Sequence, residues 1–412
     1  MDNEHLWLAV IAGGQGTRLF PISHPACPKQ FCKLDDRNHF IQATIDNYLS
    51  VGVKPTHVMV LVTNETQRQL AMEQCLPRGV LSQNIIMESP DLGYPGCMAR
   101  ATELIYEIDR EAIVIETPSD QYLERGEAFI NTIAVATEVA SSGSFVIVGV
   151  KVNDLVTATG CGHVIYDESA GPYLTVGNFL KGFDVLDKSR CFTVTDFIEK
   201  PNLKVADRIM RQGNSACNTG INVWSAEAFH DVMSGRSCIG ISTDEFMKML
   251  GPLKVAVGNF IWRDCGTLKS LYEISKKTPN HKNASLGGGT FERINCRGSL
   301  LYAAEGMELR VSGAENDAIV FNSVDGHPVV VVAKLKESQK IKELANDYFA
   351  HEDILSEDFA LGARNNTVLG SNVSDELVVG FVGVSNYAIY VHRRPDGMLE
   401  AVVSQQLKPP KA

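Results

Sequence analysis

Three glycines, an arginine and a lysine carry the first chemical signal in this chain. In Val10-Ile-Ala-Gly-Gly-Gln-Gly-Thr-Arg-Leu19 an apolar run ends in Gly13, Gly14 and Gly16, and Pro28-Lys29 follows downstream. Glycines so spaced let a backbone turn tightly and present bare N–H groups to phosphate oxygens, while Arg18 and Lys29 add positive charge. Nucleotide handling is the first expectation, with Ala12, Gly13, Gly14, Gly16, Thr17, Arg18 and Lys29 as the nucleotide-binding set. Two commoner motifs fail here. A P-loop requires Gly-Lys-Ser/Thr where Arg18-Leu19-Phe20 stands, and a dinucleotide fingerprint beginning at Gly14 requires glycine in place of Leu19.

The elements that must position these residues follow from hydrophobic periodicity. Leu6–Ile11 reads as a buried first strand, and further strand candidates at 58–62, 113–115 and 145–150 alternate with helix-period segments at 41–49, 65–75, 98–108 and 129–140. This βαβ alternation predicts an α/β fold with a doubly wound, mostly parallel Rossmann-like sheet, whose ligands sit beyond the carboxyl ends of the strands. Strand ends therefore draw attention to Glu116-Thr-Pro-Ser-Asp120 and to Asp264 after Phe260-Ile-Trp262. From about residue 282 the pattern changes to short alternating segments, 299–303, 318–322 and 329–333, which predict a smaller β-rich unit. A helix-like stretch at 337–349 and a hairpin candidate, 381–392 and 398–404 about Pro395-Asp-Gly397, close the chain.

The glycine loop with Arg18 and Pro28-Lys29 resembles the sugar-nucleotidyltransferase signature Gly-Gly-x-Gly-Thr-Arg-Leu, and the added Gln30-Phe31 resembles the mannose-1-phosphate guanylyltransferase branch. Further elements agree with that resemblance. Pro118-Ser-Asp120 and Trp262-Arg-Asp264-Cys-Gly266 are similar to the two aspartate elements of the family, so Asp120 and Asp264 are expected to hold Mg2+, a hard cation that takes carboxylate ligands and neutralises triphosphate oxygens. Glu199-Lys200-Pro201 resembles the Glu-Lys-Pro element. Lys200 would then hold the phosphate of a sugar 1-phosphate, and Glu199 would accept hydrogen bonds from its hydroxyls. Asn218-Thr-Gly220 and Thr159-Gly160-Cys-Gly162-His resemble the sugar-facing elements, which adds Gly160 and Asn218 to the substrate set. His163 receives no catalytic role.

The resemblance spans about residues 6 to 350, and it divides the chain into a nucleotidyltransferase domain (1–281), a β-rich linker domain (282–350) and a C-terminal extension with a hairpin (351–412). It implies in-line attack of a sugar 1-phosphate on the α-phosphorus of a triphosphate, GTP foremost, with Arg18, Lys29 and Lys200 as the catalytic cations and pyrophosphate leaving. The sugar is mannose 1-phosphate or a related hexose, heptose or cyclitol 1-phosphate. Two departures stand out: Gln121 replaces the family histidine, and Met87–Cys97 lacks the Arg-Asn-Thr triplet of the segment beside the nucleotide. These motivate two alternatives, the same chemistry with another triphosphate and a catalytically silent nucleotide-sugar-binding regulator. The intact charged set weighs against the second. The family also suggests a homodimer.

Composition frames these readings. A chain of 412 residues with 44% apolar and 21% charged side chains is globular and long enough for two or three domains. Its net charge of −11 and scattered basic residues argue against nucleic acid as a partner. Neither a membrane span nor a signal segment is evident, so cytoplasmic residence is expected. The ten cysteines form no Cys-x-x-Cys pair and several sit in apolar runs, which predicts buried reduced thiols rather than disulfides or a zinc site.

Overall fold

A computed structural model describes residues 3–14, 17–33, 38–169, 190–350, 360–361, 367–371, 378–382, 384 and 387–405. The chain forms two compact units: residues 1–13 with 41–263, and residues 14–40 with 264–412.

The first unit is built on strands β1 (Leu6–Ile11), β2 (Val58–Val62), β3 (Ile85–Met87), β4 (Ile113–Pro118), β5 (Gln121–Leu123), β6 (Phe145–Val150), β7 (His163–Asp167), β8 (Arg190–Ile198), β9 (Ser215–Ser225) and β10 (Leu253–Gly258). Helices α1 (Phe40–Leu49), α2 (Glu65–Cys75), α3 (Gly93–Ile108), α4 (Glu127–Ala140) and α5 (Leu155–Gly160) separate its first seven strands, except that β5 follows β4 with no helix between them. Among the described residues, nine of the strands make one sheet in the order β3-β2-β1-β4-β9-β6-β10-β8-β7. The β3-β2-β1-β4 half is parallel throughout, and β6 pairs parallel with β10. Between these parallel parts β9 runs antiparallel to both neighbours, with Asn222 opposite Glu116 of β4 and Ile147 of β6.

Every residue of β1 is buried, as expected for a parallel strand covered on both faces. Trp7, Ala9 and Ile11 project from one face of it and join a core cluster with Met98, Ala101 and Ile105 of α3. The period of two on the strand meets the period of three to four on the helix, and that match seats α3. Helix α2 starts where the Asn64 side chain accepts from Gln67 N, a side-chain N-cap. The order β3-β2-β1-β4 reverses at β1, so the carboxyl ends of β1 and β4 flank the switch point at which such sheets bind ligands. Those ends lead directly into Ala12-Gly13 and Ser119-Asp120.

In the second unit, strands Ala284–Leu286, Leu300–Ala303 and Asp317–Val324 stack in parallel as one wall, and Thr290–Ile294, Met307–Ser312 and Leu399–Gln405 as another. Leu301, Ala303, Ile319 and Phe321 of the first wall share a core with Leu309, Val311, Ala401 and Val403 of the second. Glycines 287–289 form the corner between the walls. Gly287 has φ 94°, and a Cβ there would lie 1.9 Å from the Ala303 carbonyl oxygen, so no other residue fits. The closing hairpin exists: Tyr387–Arg393 pairs antiparallel with Leu399–Gln405.

Two expectations need correction. Strand β4 continues to Pro118, so Glu116 and Thr117 lie within the sheet and are fully buried rather than on a loop. The cysteines are not all reduced, because Cys161 and Cys217 form a disulfide. Sequence spacing could not reveal that pair, which is 56 residues apart and is brought together when β7 pairs with β9, His163 opposite Cys217. The other eight cysteines are thiols.

Candidate active site

The site residues fall into one group in each unit. In the second unit, Pro28 leads into a single turn of 3-10 helix, Lys29–Phe31, all of it buried. Lys29 is only 3% exposed, and its Nζ stands 3.3 Å from Asp264 Oδ1, whose side chain is half exposed. A buried ammonium requires a nearby anion, and Asp264 supplies it. Gln30 donates through Nε2 to the Gly14 carbonyl at 2.9 Å, which anchors the glycine loop from below. Arg18 flanks Gly266, as that aspartate does. A methyl group on Gly266 would lie 3.2 Å from the Arg18 guanidinium carbon and 3.3 Å from Asp264 Oδ2. The glycine of Trp-Arg-Asp-Cys-Gly266 therefore leaves space for a guanidinium beside a carboxylate.

In the first unit, Ala12 N donates to the Leu61 carbonyl at 2.8 Å and so continues the sheet for one residue past β1. The Gly13 carbonyl accepts from Thr63 Oγ1 at 3.2 Å, and Thr63 is in turn fixed by Gln67, whose Oε1 accepts from Thr63 N at 2.9 Å. A Cβ on Gly13 would meet Thr63 Cγ2 at 2.6 Å, which explains the glycine. Gln15, Gly16 and the Thr17 side chain lie outside the described residues. At the end of β4 the Ser119 hydroxyl donates to the Ile11 carbonyl at 2.8 Å, and Asp120 follows, half-buried. Gln121 has a structural use: its Oε1 accepts from the indole N–H of Trp262.

Periodicity and motif reading missed a buried triad beneath these loops. Glu116 is fully buried, accepts from the Tyr94 hydroxyl at 2.6 Å and from Asn222 Nδ2 at 2.7 Å, and has its pKa pushed up to about 8 by burial, against the opposing pull of those two hydrogen bonds. Tyr94 belongs to the departing segment. That segment forms a turn capped by Ser89 and then the first turn of α3, with Gly93 at φ 62°. Glu88 accepts from Arg100 Nε at 3.0 Å across it. Tyr94 thus links a sequence departure on α3 to the sheet under Asp120 and to Asn222 of β9.

The residues expected to face a sugar phosphate all lie in the first unit. Asn218 N donates to the Gly162 carbonyl and Gly220 N to Asn218 Oδ1, both at 2.8 Å, which leaves the Asn218 amide N–H groups as donors. A Cβ on Gly162 would lie 2.6 Å from Glu199 Oε2, so this glycine lets Glu199 fold over the loop. Lys200 Nζ is 3.5 Å from Glu199 Oε1, and both side chains are exposed. Lys200 holds φ 40°, a left-handed conformation uncommon for a residue with a Cβ. Gly160 ends α5 and is exposed, with open space where its Cβ would be. His163, on β7, is 1% exposed, with Nε2 2.8 Å from the Ala158 carbonyl. Burial lowers its pKa.

Comparison with known proteins bears on the family and the fold. A family described as nucleotidyl transferase matches residues 9–281. Mannose-1-phosphate guanylyltransferase of Escherichia coli is 24% identical over 368 residues, 81% of this chain and 74% of that one. The enzyme of the same name from Salmonella montevideo is 26% identical over 375 residues, 84% of this chain and 75% of its own. In fold, the chain is similar to the crystal structure described as mannose-1-phosphate geranyltransferase from Thermus thermophilus, with TM-score 0.67 and 20% identity across 84% of this chain and 99% of that one. No helix among the described residues is long and apolar enough to cross a membrane. A glycine turn at the switch point of an α/β sheet, a buried lysine facing an aspartate and a family match over two thirds of the sequence lead to one assignment: the chain belongs to the nucleotidyl transferase family.

Proposed function

We propose that this protein transfers GMP from GTP to a sugar 1-phosphate, with mannose 1-phosphate the leading acceptor, giving a GDP-sugar and pyrophosphate. The observation that carries the reading is the buried Lys29 ammonium held 3.3 Å from Asp264, with the Arg18 guanidinium and Asp264 both flanking Gly266, a charge arrangement suited to a triphosphate and its metal. The names of the relatives support guanine and mannose.

The family works with a divalent cation. The donor set fits Mg2+, since Asp120 and Asp264 both offer hard oxygens at strand ends and would hold the ion. Bound there, it would neutralise charge around the α-phosphate. The chain's own residues do the rest by positioning. The backbone of Ala12 to Thr17 binds phosphate oxygens, and Arg18 and Lys29 stabilise the departing pyrophosphate. Lys200 brings the acceptor phosphate to the α-phosphate against the mutual repulsion of two anions. Glu199 accepts from sugar hydroxyls, the Asn218 amide donates to them, and Gly160 leaves room for the ring. No protein nucleophile is required.

Pyrophosphate release tests this reading, with GTP, ATP, UTP and CTP crossed against hexose, heptose and cyclitol 1-phosphates, with magnesium and with a chelator. Release with GTP and mannose 1-phosphate, lost on chelation, is expected. Preference for another base would reassign the nucleotide and point to the Met87–Cys97 segment as the cause. Silence across the panel, with nucleotide-sugar binding retained, would favour a regulatory role.

A further inference from the structure

Cys161 and Cys217 are each the immediate neighbour of an acceptor-side residue. Cys161 precedes Gly162, over which Glu199 packs, and Cys217 precedes Asn218; the hydrogen bond from Asn218 N to the Gly162 carbonyl, 2.8 Å, lies right beside the disulfide. The bond closes a loop of chain, 56 residues in separation, that contains Glu199 and Lys200. Its Cα–Cα distance of 5.9 Å is one that a disulfide spans without moving the backbone. His163 completes a buried cluster, with Nε2 3.8 Å from each sulfur.

We propose that Cys161 and Cys217 form a redox modification site, a reversible disulfide that sets the affinity of the enzyme for its sugar 1-phosphate. The inference rests on the acceptor reading given above. Oxidised, the bond fixes the separation of Gly162 and Asn218 and so preorganises the surface that Glu199 and Asn218 present to the sugar. Reduced, the two strands stay paired through His163 and Cys217, but that separation is then held by the Asn218–Gly162 hydrogen bond without the covalent link.

The chemistry balances with a small disulfide oxidant. Cys161, 6% exposed against 0% for Cys217, is the thiol better placed to attack. Its thiolate displaces one thiolate from the oxidant to give a mixed disulfide, and the Cys217 thiolate then attacks Cys161 Sγ and releases the second. The two cysteine protons leave on the two departing thiols, and the oxidant takes up the two electrons. Reduction by a dithiol reverses each step.

The test is steady-state kinetics of the 412-residue chain equilibrated with oxidised or reduced dithiothreitol, with the thiol state mapped by peptide mass spectrometry and zinc content measured. Oxidation is expected to lower KM for the sugar 1-phosphate about fivefold, the low end of ordinary coupling between sites, with KM for the triphosphate unchanged. The Cys161→Ser/Cys217→Ser variant should lose that redox response while retaining the turnover of the reduced enzyme. Equal KM in both states, with the disulfide confirmed in one of them, would overturn the inference. So would stoichiometric zinc bound by Cys161, His163 and Cys217 that prevents oxidation, because the cluster would then be a metal site. Failure of the acceptor reading looks different: no turnover with any sugar 1-phosphate in either redox state.

Discussion

At the scale of single residues, Gly13 of the glycine loop is explained by the contact that it permits. Gly13 has no room for a Cβ because Thr63 Cγ2 occupies that position, and Thr63 cannot retreat while its hydroxyl donates to the Gly13 carbonyl and its N–H to Gln67. Gly13→Ala is expected to reduce kcat/KM for the triphosphate by at least about tenfold, an overpacking cost of about 1.4 kcal/mol or more applied at the phosphate site. Thr63→Ser removes Cγ2 and keeps the hydroxyl, so the double variant should recover most of the loss; a double variant no better than the single would show that the contact is not the cause. Glu116 makes a second residue-scale prediction. Its carboxyl binds a proton more tightly in the folded protein than in the unfolded chain, with the folded pKa about 8. The folded state therefore holds the extra proton from the ordinary carboxyl range up to about 8, and stability should fall through that window by at most about 1.4 kcal/mol per pH unit. In Glu116→Gln the amide can still accept from Asn222 and donate to the Tyr94 oxygen, so denaturant midpoints measured from pH 5 to 9 should lose this contribution to the slope. An unchanged slope would assign the pH dependence elsewhere.

At the scale of elements, Pro28-Lys-Gln-Phe31 is one turn with three tasks: Phe31 anchors it in the core, Lys29 faces Asp264 and Gln30 holds the Gly14 carbonyl. Losing one hydrogen bond of this kind is worth about 1 kcal/mol. Gln30→Ala should accordingly raise KM for the triphosphate roughly fivefold with little change in kcat, whereas a selective fall in kcat would place Gln30 closer to the chemistry than a loop anchor. The family was legible in sequence because the signature that contains this turn fixes residue type and spacing together. Strands 58–62 and 145–150 and helices 41–49 and 65–75 were legible because each buries a face or a whole strand, which fixes its periodicity. What escaped depends on partners far apart in the chain. The antiparallel insertion of β9, the Tyr94–Glu116–Asn222 triad and the Cys161–Cys217 bond exist only after β4, β7 and β9 are placed side by side. The end of β4 was set too early for a related reason: Glu116 reads as a loop carboxylate until its buried partners are known.

At the scale of the whole molecule, the segment that follows the proposed catalytic Arg18 is tied to later parts of the second unit. Phe20 and Pro21 follow Arg18 closely, and within the second unit Asn322 Nδ2 donates to the Pro21 carbonyl at 2.6 Å while the Phe20 ring packs 5.0 Å from Tyr348 and 5.7 Å from Phe349. The same unit depends on its closing hairpin. Leu399–Gln405 is the parallel partner of Met307–Ser312, Ala401 and Val403 are fully buried in the shared core, and the Tyr387 hydroxyl donates to buried Asp317 at 2.7 Å. A chain ending at residue 386 would strip one wall of its neighbour and leave Leu309 and Val311 facing water, at roughly 1.5 to 3 kcal/mol for each large apolar side chain exposed. Such losses, added to unpaired backbone along Met307–Ser312, exceed what a marginally stable unit tolerates. The truncated protein should lose activity along with the thermal transition of the second unit, while protease digestion still yields a resistant fragment from the first. Val403→Asp should reproduce the defect in the full-length chain, because a buried carboxylate without a partner disrupts the same core. A truncated protein that melts normally and turns over at the normal rate would show instead that Arg18 and Lys29 are held without the hairpin, and that Phe20, Pro21 and their partners suffice.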